Sequence, residues 1–202
     1  RLRASVAVHP LAPPEIERIL GPALMAQFHH RIHFHDPDDE SMLVPIGITR
    51  RGHQVRLNRR AVEADCLVLL GAATYHYHAG FGGGRKSLVP GLASRDTIAY
   101  NHSLTLDPVA DQIHPRVQIG ILDGNPVAEE IQEAALMHPP AFVVNSVLMP
   151  DGRLAGVFAG DMILAHHQAC HQVEQIARVT LPEAADRVLA SAEPALHWIQ
   201  RH

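Results

Sequence analysis

The sequence predicts an α/β protein with a mixed, partly parallel sheet that is flanked by helices. Short apolar runs of strand length alternate with segments in which apolar residues repeat at helical spacing. The run Cys66–Gly71 is strongly apolar, which is typical of a buried strand. A loop with four glycines in five positions, Gly80–Gly84, follows this strand, and glycine lets a backbone approach a ligand closely. We therefore place the candidate cofactor loop at a strand end.

The composition excludes several classes of protein. The 202 residues suffice for one large or two small domains, and the 47% hydrophobic content is ordinary for a globular protein. No run approaches the roughly 18 apolar residues of a membrane span. The net charge of -4 argues against a nucleic-acid partner. Cys66 in a strand and Cys170 in a helix predict buried thiols in a reducing, cytoplasmic setting. The 16 histidines favour metal or proton chemistry.

The first half of the chain predicts strands that alternate with short helices. Pro13 and Glu15 in a first turn, with Gly21 after the last turn, indicate a helix. Asn58 is a candidate helix cap. In order, the predicted elements are a strand over 4–9, a helix over 13–20, a solvated connection over 29–39, strands over 42–48 and 54–57, a helix that Asn58 caps and that runs through Glu63, and the strand 66–70.

The second half predicts further alternation. Ser94 is a candidate cap with Asp96 in the first turn, and Asp151-Gly152 indicates a hairpin turn. His167 and His171 are spaced i, i+4 on a predicted helix, but without a neighbouring glutamate or third ligand they predict a surface pair. The predicted elements are a helix over 94–104, a turn over 123–126 into a helix through Leu136, strands over 141–149 and 154–158, a helix over 162–178 and a strand over 186–191.

The glycine loop almost fits the phosphate-loop pattern of nucleotide hydrolases. The segment Gly80–Ser87 departs from that pattern because Arg85 stands where a glycine should precede Lys86. Nine residues also separate Gly71 from Gly80, whereas a phosphate loop follows its strand directly. The residues therefore disfavour a nucleotide hydrolase. Anion binding remains a reasonable prediction, because backbone N–H groups together with Arg85 suit a phosphate.

A second hypothesis uses the two histidines before the glycines. His76 and His78 at a strand end are typical of a zinc pair in a metal-dependent hydrolase. Such a site needs further carboxylate or histidine ligands, and no spacing singles them out. The residues alone leave this alternative open.

Eight short motifs occur in one order over roughly residues 5–190. They are Gly47-x-Thr49-x-x-Gly52, Leu57-Asn58-Arg59, Glu63-Ala64-Asp65, His76-x-x-Ala79-Gly80-Phe81-x-Gly83-Gly84-x-Lys86, Pro90-Gly91-x-Ala93-Ser94, Asn101-His102, Asp123-Gly124-Asn125-Pro126-Val127 and Phe158-Ala159-Gly160-Asp161. On these motifs the chain resembles the nickel-pincer lactate racemase family, in its N-terminal, cofactor-binding domain. The block over 71–102 is the specific part of the resemblance.

The resemblance implies a nickel-pincer nucleotide as cofactor, namely pyridinium-3,5-bisthiocarboxylic acid mononucleotide nickel. It also implies an isomerase, a racemase or epimerase of an α-hydroxy acid that abstracts hydride reversibly. The implied roles are covalent cofactor attachment at Lys86, cofactor binding by Gly83, Gly84 and Arg85, nickel ligation by His102, acid–base catalysis by His76 and His9, and substrate contact by Gln200. His78 has no role in this scheme. The implied partners are a small 2-hydroxy acid and, transiently, proteins that synthesise the cofactor or insert nickel.

The implied chemistry explains the types of residue. The C–H bond of an α-hydroxy acid is barely acidic near neutral pH, so its hydrogen leaves as hydride while a base takes the hydroxyl proton. Each orientation of the hydroxyl needs its own base, and histidine titrates near neutrality. Imidazole suits nickel. The cofactor carries the hydride, and the protein orients it.

The resemblance also implies that the chain is a fragment, because family members are longer. We expect residues 1–190 to form the cofactor-binding α/β domain and residues 191–202 to begin a linker to a C-terminal domain. A module that binds nickel or the cofactor without catalysis is the competing class.

Overall fold

The computed structural model describes residues 13–179. Within that range no helix combines the length and hydropathy needed to cross a membrane. The described helices are α1 Pro13–Leu20, α2 Pro22–Phe28, α3 Arg59–Val62, α4 Arg95–Ser103, α5 Pro126–Leu136 and α6 Leu164–Ala177. The described strands are β1 Leu43–Ile48, β2 Gln54–Asn58, β3 Val68–Ala72, β4 Tyr75–His76, β5 Gly80–Phe81, β6 Leu106–Asp107, β7 Gln112–Ile113, β8 Phe142–Leu148 and β9 Leu154–Asp161.

The central sheet is mixed, which confirms the predicted fold class. Its strand order is β3-β8-β9, with β3 parallel to β8 and β8 antiparallel to β9. The predicted hairpin turn at Asp151-Gly152 joins β8 to β9, and β9 extends past Phe158 to Asp161. Helix α6 packs on β8 and β9. The strands β1 and β2 form the predicted antiparallel pair beside this sheet.

Two of the helices begin at the predicted caps, and a third begins at a cap that was not predicted. The side-chain oxygen of Asn58 accepts a hydrogen bond from the backbone N–H of Arg60, and that of Ser94 accepts one from Thr97. Asn125 caps α5 in the same way. Such caps satisfy backbone donors that have no partner inside the helix, and each contributes about 1 kcal/mol. The order of these elements could therefore be predicted from local chemistry.

The main core lies between β2, the inner face of the central sheet and α5. Leu57, Leu69, Val143 and Ile131 are buried in it together. Full burial of one such aliphatic side chain stabilises the fold by roughly 1.5–3 kcal/mol. The same cluster includes Leu88 and Val89, which directly follow the glycine-rich segment. The core therefore anchors that segment to the sheet.

The prediction that Cys66–Gly71 is a buried strand is wrong in two respects. The strand begins at Val68, and Cys66 is exposed rather than a buried thiol. Val68 and Leu70 are 52% and 72% exposed, whereas Leu69 faces the core. Alternate side chains of a strand point to opposite faces, and the described residues cover only one face of this sheet. Cys170, by contrast, is buried on α6 as expected.

The prediction of a solvated connection over 29–39 is also partly wrong. His35 is buried, and its ring links two elements. Asn58 Nδ2 donates to His35 Nδ1 at 3.0 Å, so the ring proton lies on Nε2, which donates to the Ala93 carbonyl at 2.8 Å. A buried carbonyl needs a donor, and the histidine supplies it. The predicted strands 4–9 and 186–191 and the predicted boundary at residue 190 lie outside the described residues.

Candidate functional site

The glycine-rich segment lies beyond the end of β3 and contacts the parallel strand β8. After β3 the chain forms the small hairpin β4–β5 and then a 3-10 turn over Gly84–Ser87. The backbone N–H of Gly82 donates to the Thr74 carbonyl at 2.8 Å. The backbone N–H of Gly84 donates to Asn145 Oδ1, on β8, at 2.7 Å. The loop is thus fixed by hydrogen bonds to its own flank and to the sheet.

Two of the glycines are required by geometry. Gly80 has φ +73°, and a Cβ at this position would lie 2.1 Å from the carbonyl oxygen of Ile121. Gly83 has φ +76°, and its Cβ would lie 2.8 Å from the Ala72 carbonyl oxygen. Only glycine adopts this backbone conformation without strain and also leaves room for the neighbouring chain. The spacing of the glycines therefore reflects tight packing of the loop as well as access for a ligand.

Lys86 and His76 form a direct pair in this loop. Their Nζ and Nε2 atoms are 2.7 Å apart. The backbone N–H groups of His78 and Ala79 donate to His76 Nδ1, at 3.2 and 3.1 Å. A neutral imidazole with an accepting Nδ1 carries its proton on Nε2. This tautomer donates to the lone pair of an unprotonated Lys86 amine, so the hydrogen-bond pattern favours the reactive form of the lysine.

The pKa shifts of His76 and Lys86 also favour an unprotonated lysine. Burial, and next the charge of Lys86, lowers the pKa of His76 to about 4. Burial, and next the charge of Arg85, lowers the pKa of Lys86 to about 8. Lys86 is also the single lysine of the sequence. A lysine with a depressed pKa is an effective amine nucleophile near neutral pH, and the neutral histidine beside it can donate a hydrogen bond to the amine.

His78 and His102 complete the cluster. Their ring centroids are 6.2 Å apart, and His78 is also 6.2 Å from His76. Burial, with the charge of Lys86 second, lowers the pKa of both His78 and His102. The structure thus brings together three residues that the resemblance singles out, His76, Lys86 and His102. It also places His78 among them.

Two buried asparagines hold this cluster against α5. Asn125 Nδ2 donates to the His78 carbonyl at 2.8 Å, while its Oδ1 caps the helix. Asn101 precedes His102, and its Nδ2 donates to the Val127 carbonyl at 3.0 Å. Asn125 thus ties the backbone of His78 to the start of α5. Asn101, which is next to His102 in the chain, is tied to the first turn of the same helix. The Asn-His and Asn-Pro motifs of the sequence thus meet in space.

The geometry of His76 disfavours the zinc-hydrolase alternative. One ring nitrogen accepts backbone hydrogen bonds and the other contacts Lys86, so neither is free for zinc. Residues 13–179 contain no group of three or more His, Cys, Asp or Glu side chains placed to hold a metal ion.

Arg85 lies in the protein interior, behind the loop. It is 1% exposed, and its NH1 atom donates to His166 Nδ1 at 2.9 Å. Within the described residues its Nε has no hydrogen-bond partner, and neither has Nδ2 of the nearby Asn145. Burial lowers the pKa of Arg85 to about 10. Two donors with open hydrogen-bonding capacity therefore lie at the base of the loop.

Sequence reasoning missed His166 and Asn145. The i, i+4 spacing singles out His167 and His171, which the structure places at the surface as expected, and gives no signal for His166. Its position between Ala165 and Ala169, on the apolar face of α6, is the pattern that could have marked it as buried. Asn145 is a polar residue in the middle of an apolar strand, which is a similar anomaly.

The remaining predicted site residues have mixed outcomes. Gly83 and Gly84 lie in the loop immediately before Arg85 and Lys86. His9 and Gln200 lie outside the described residues.

The fold and the site define an α/β domain in which a glycine-rich loop presents a lysine–histidine pair at a strand end. The family described as lactate racemase N-terminal domain matches residues 5–113. The chain belongs to this family.

Two curated relatives are lactate racemases. The protein from Lactiplantibacillus plantarum is 38% identical over 152 residues, which is 75% of this chain and 34% of the relative. The protein from Thermoanaerobacterium thermosaccharolyticum is 35% identical over 157 residues, which is 78% of this chain and 35% of the relative. The chain therefore spans about a third of the length of these relatives.

Solved structures agree with the fold. The lactate racemase apoprotein from T. thermosaccharolyticum has a TM-score of 0.78 at 30% identity, over 87% of this chain and 41% of that one. A protein from Thermotoga maritima has a TM-score of 0.66 at 20% identity, over 86% and 46% of the two chains. The second similarity shows the shared fold alone.

Proposed function

We propose that this chain is the cofactor-binding part of a racemase or epimerase that acts on an α-hydroxy acid. The observation that carries the proposal is the 2.7 Å contact between Lys86 Nζ and His76 Nε2, in the loop of a lactate racemase domain. A reactive amine and an acid–base group at one point are what covalent cofactor attachment and proton transfer both require. Lactate, named for both curated relatives, is the first substrate to test.

We assign the roles as follows. Lys86 attaches the cofactor covalently, and His76 exchanges a proton with the substrate hydroxyl. A second histidine, His9 in this proposal, serves the opposite orientation of that hydroxyl. His102 ligates nickel, and Gln200 contacts the substrate. These assignments follow the resemblance residue by residue, and the proximity of three of them supports the set.

The donors present fit a nickel-pincer nucleotide. His102 offers an imidazole, which nickel accepts readily, next to the amine of Lys86. Arg85 Nε and Asn145 Nδ2 are donors without partners in the described residues, and their chemistry suits an anionic group at the base of the loop. When bound, the cofactor would supply a reversible acceptor for hydride.

The residues of this chain handle the proton and the geometry. His76 is held in one tautomer by the backbone N–H groups of His78 and Ala79, so its Nε2 faces the lysine and the space beside it. Its low pKa keeps it neutral. The partners we propose are a small 2-hydroxy acid and, transiently, proteins that build the cofactor or insert nickel.

A non-catalytic module that binds the cofactor is the second candidate. The pair of Lys86 and His76 would serve covalent attachment of the cofactor even without turnover. Protein loaded with nickel and cofactor that inverts lactate would support the enzyme. The same preparation with bound nickel but no turnover would support the module.

The first test is the intact mass of the protein after expression together with cofactor-building enzymes. We expect a covalent mass increment in the wild type and none in Lys86→Ala. Lys86→Arg is the matched control, because it keeps a positive charge but has no amine that can form the bond. If either variant retains the increment, the central assignment is wrong.

A further inference from the structure

A buried histidine of α6 packs directly against the glycine loop. His166 is fully buried, and its Nε2 is 2.9 Å from the Gly82 carbonyl oxygen. Its Nδ1 is 2.9 Å from NH1 of Arg85. A Cβ at Gly84 would lie 2.6 Å from His166 Cδ2, so the ring lies directly against that glycine. One side chain thus contacts three of the four residues that precede Lys86.

The hydrogen bonds to Arg85 and Gly82 fix the state of the ring, and Cys170 Sγ lies 3.4 Å from Nε2. A guanidinium can only donate, so Nδ1 of His166 accepts from Arg85 and the ring proton lies on Nε2, which donates to Gly82. Burial, and next the charge of Arg85, lowers the pKa of His166 to about 4. The ring therefore stays neutral near physiological pH, and both contacts persist. Because α6 packs on β8 and β9, the histidine provides a rigid support.

The support is connected to the lysine through the backbone. The N–H of Lys86 donates to the Gly83 carbonyl at 3.1 Å. Gly83 lies between Gly82 and Gly84, and His166 contacts both of these residues. From this turn the lysine side chain reaches His76. A rotation of the turn would redirect the flexible four-carbon stem of Lys86 and so weaken the contact between Nζ and His76.

We infer that His166 is a positioning residue, which holds the turn over Gly82–Arg85 so that the amine of Lys86 meets His76. The importance of this amine for catalysis rests on the proposed function, but the positioning itself does not. His166 acts from behind the loop, and we assign it no contact with substrate.

The test is the pH dependence of acylation of Lys86 in the full chain without cofactor. The probe is the N-hydroxysuccinimide ester of acetate, and peptide mass spectrometry reports modification at the single lysine. In the wild type we expect the rate to reach half its maximum near pH 8. In His166→Asn, which can accept from Arg85 but is too short to reach Gly82, we expect this midpoint to rise by about one pH unit or more, toward the ordinary lysine value.

Two controls accompany this variant. His166→Gln places an amide donor near the position of Nε2, so we expect it to restore a midpoint close to that of the wild type. His167→Asn changes the adjacent, exposed histidine and should leave the midpoint unchanged. If His166→Asn yields no folded protein, His166→Leu takes its place, because leucine fills the ring's volume but makes neither hydrogen bond.

A purely structural role would give a different pattern. A folded Asn or Leu variant with a lower Tm but a midpoint identical to that of the wild type would overturn the inference. An equal rise in His166→Gln and His166→Asn would overturn it as well. Because no cofactor is present, this result is independent of whether Lys86 proves to be the attachment point.

Discussion

At the scale of single residues, the site depends on how the protons are distributed. His76 is half-buried between two backbone donors and a lysine, and each of these neighbours disfavours its protonated form. The lysine in turn is buried close to Arg85, which disfavours its own charge. Both groups are therefore biased toward their neutral forms, in which the lysine amine is a nucleophile.

Substituting His76 and His78 one at a time distinguishes their contributions to catalysis. In cofactor-loaded protein, His76→Asn should reduce lactate racemisation by roughly 10²–10⁴-fold, the usual contribution of a general acid–base group. His78→Asn should have a smaller effect, because His78 lies near His102, whereas His76 makes the 2.7 Å contact with the lysine amine. The measurement is the initial racemisation rate, normalised to the covalently loaded fraction. Equal losses in both variants would contradict the assignment of His76.

At the scale of elements, the loop shows what local sequence could and could not predict. Caps, hairpin turns and helix periods follow from neighbouring residues, so β1, β2, α3, α4 and α5 were predicted close to their observed bounds. The support behind the loop could not be predicted in this way, because Gly82 and His166 are 84 residues apart. Polar residues inside apolar patterns are the sequence feature that marks such distant contacts.

The glycines of the loop give a test at the same scale. Gly80→Ala places a methyl group 2.1 Å from a backbone oxygen at a positive φ, so the chain must move. We expect a loss of about 3 kcal/mol or more in the free energy of unfolding, from strain and a steric clash together. Gly152→Ala is the matched control, since its φ of +84° is similar but nothing lies within 4 Å. That substitution should cost only about 1 kcal/mol.

Urea unfolding followed by circular dichroism measures both glycine variants. Similar losses would mean that backbone conformation alone, and not the contact with Ile121, requires glycine at position 80.

At the scale of the whole molecule, the fold class was predicted correctly and the burial of the sheet was not. Alternating helices and strands specify a mixed sheet, because parallel strands need crossover connections. Burial depends on what packs on each face, which one strand's sequence does not reveal. Leu70 is thus apolar yet 72% exposed, while the charged Arg85 is nearly inaccessible. Arg85 and the buried His166, which hydrogen-bond to each other, are 81 residues apart in the sequence.

The buried histidine also predicts how the molecule responds to acid. The pKa of His166 is lowered from 6.5 to about 4 in the folded protein. Below pH 6.5 the unfolded chain therefore binds a proton that the folded chain does not, and stability falls as the pH drops toward 4. The full effect is on the order of 3 kcal/mol, and the half-buried His76 adds a smaller loss of the same sign.

Urea unfolding at several pH values between 7 and 4.5 measures this dependence. His166→Gln removes the titrating group, so its unfolding free energy should fall less steeply over that range, with His167→Gln as the surface control. Identical slopes for wild type and His166→Gln would show that another group dominates the acid response.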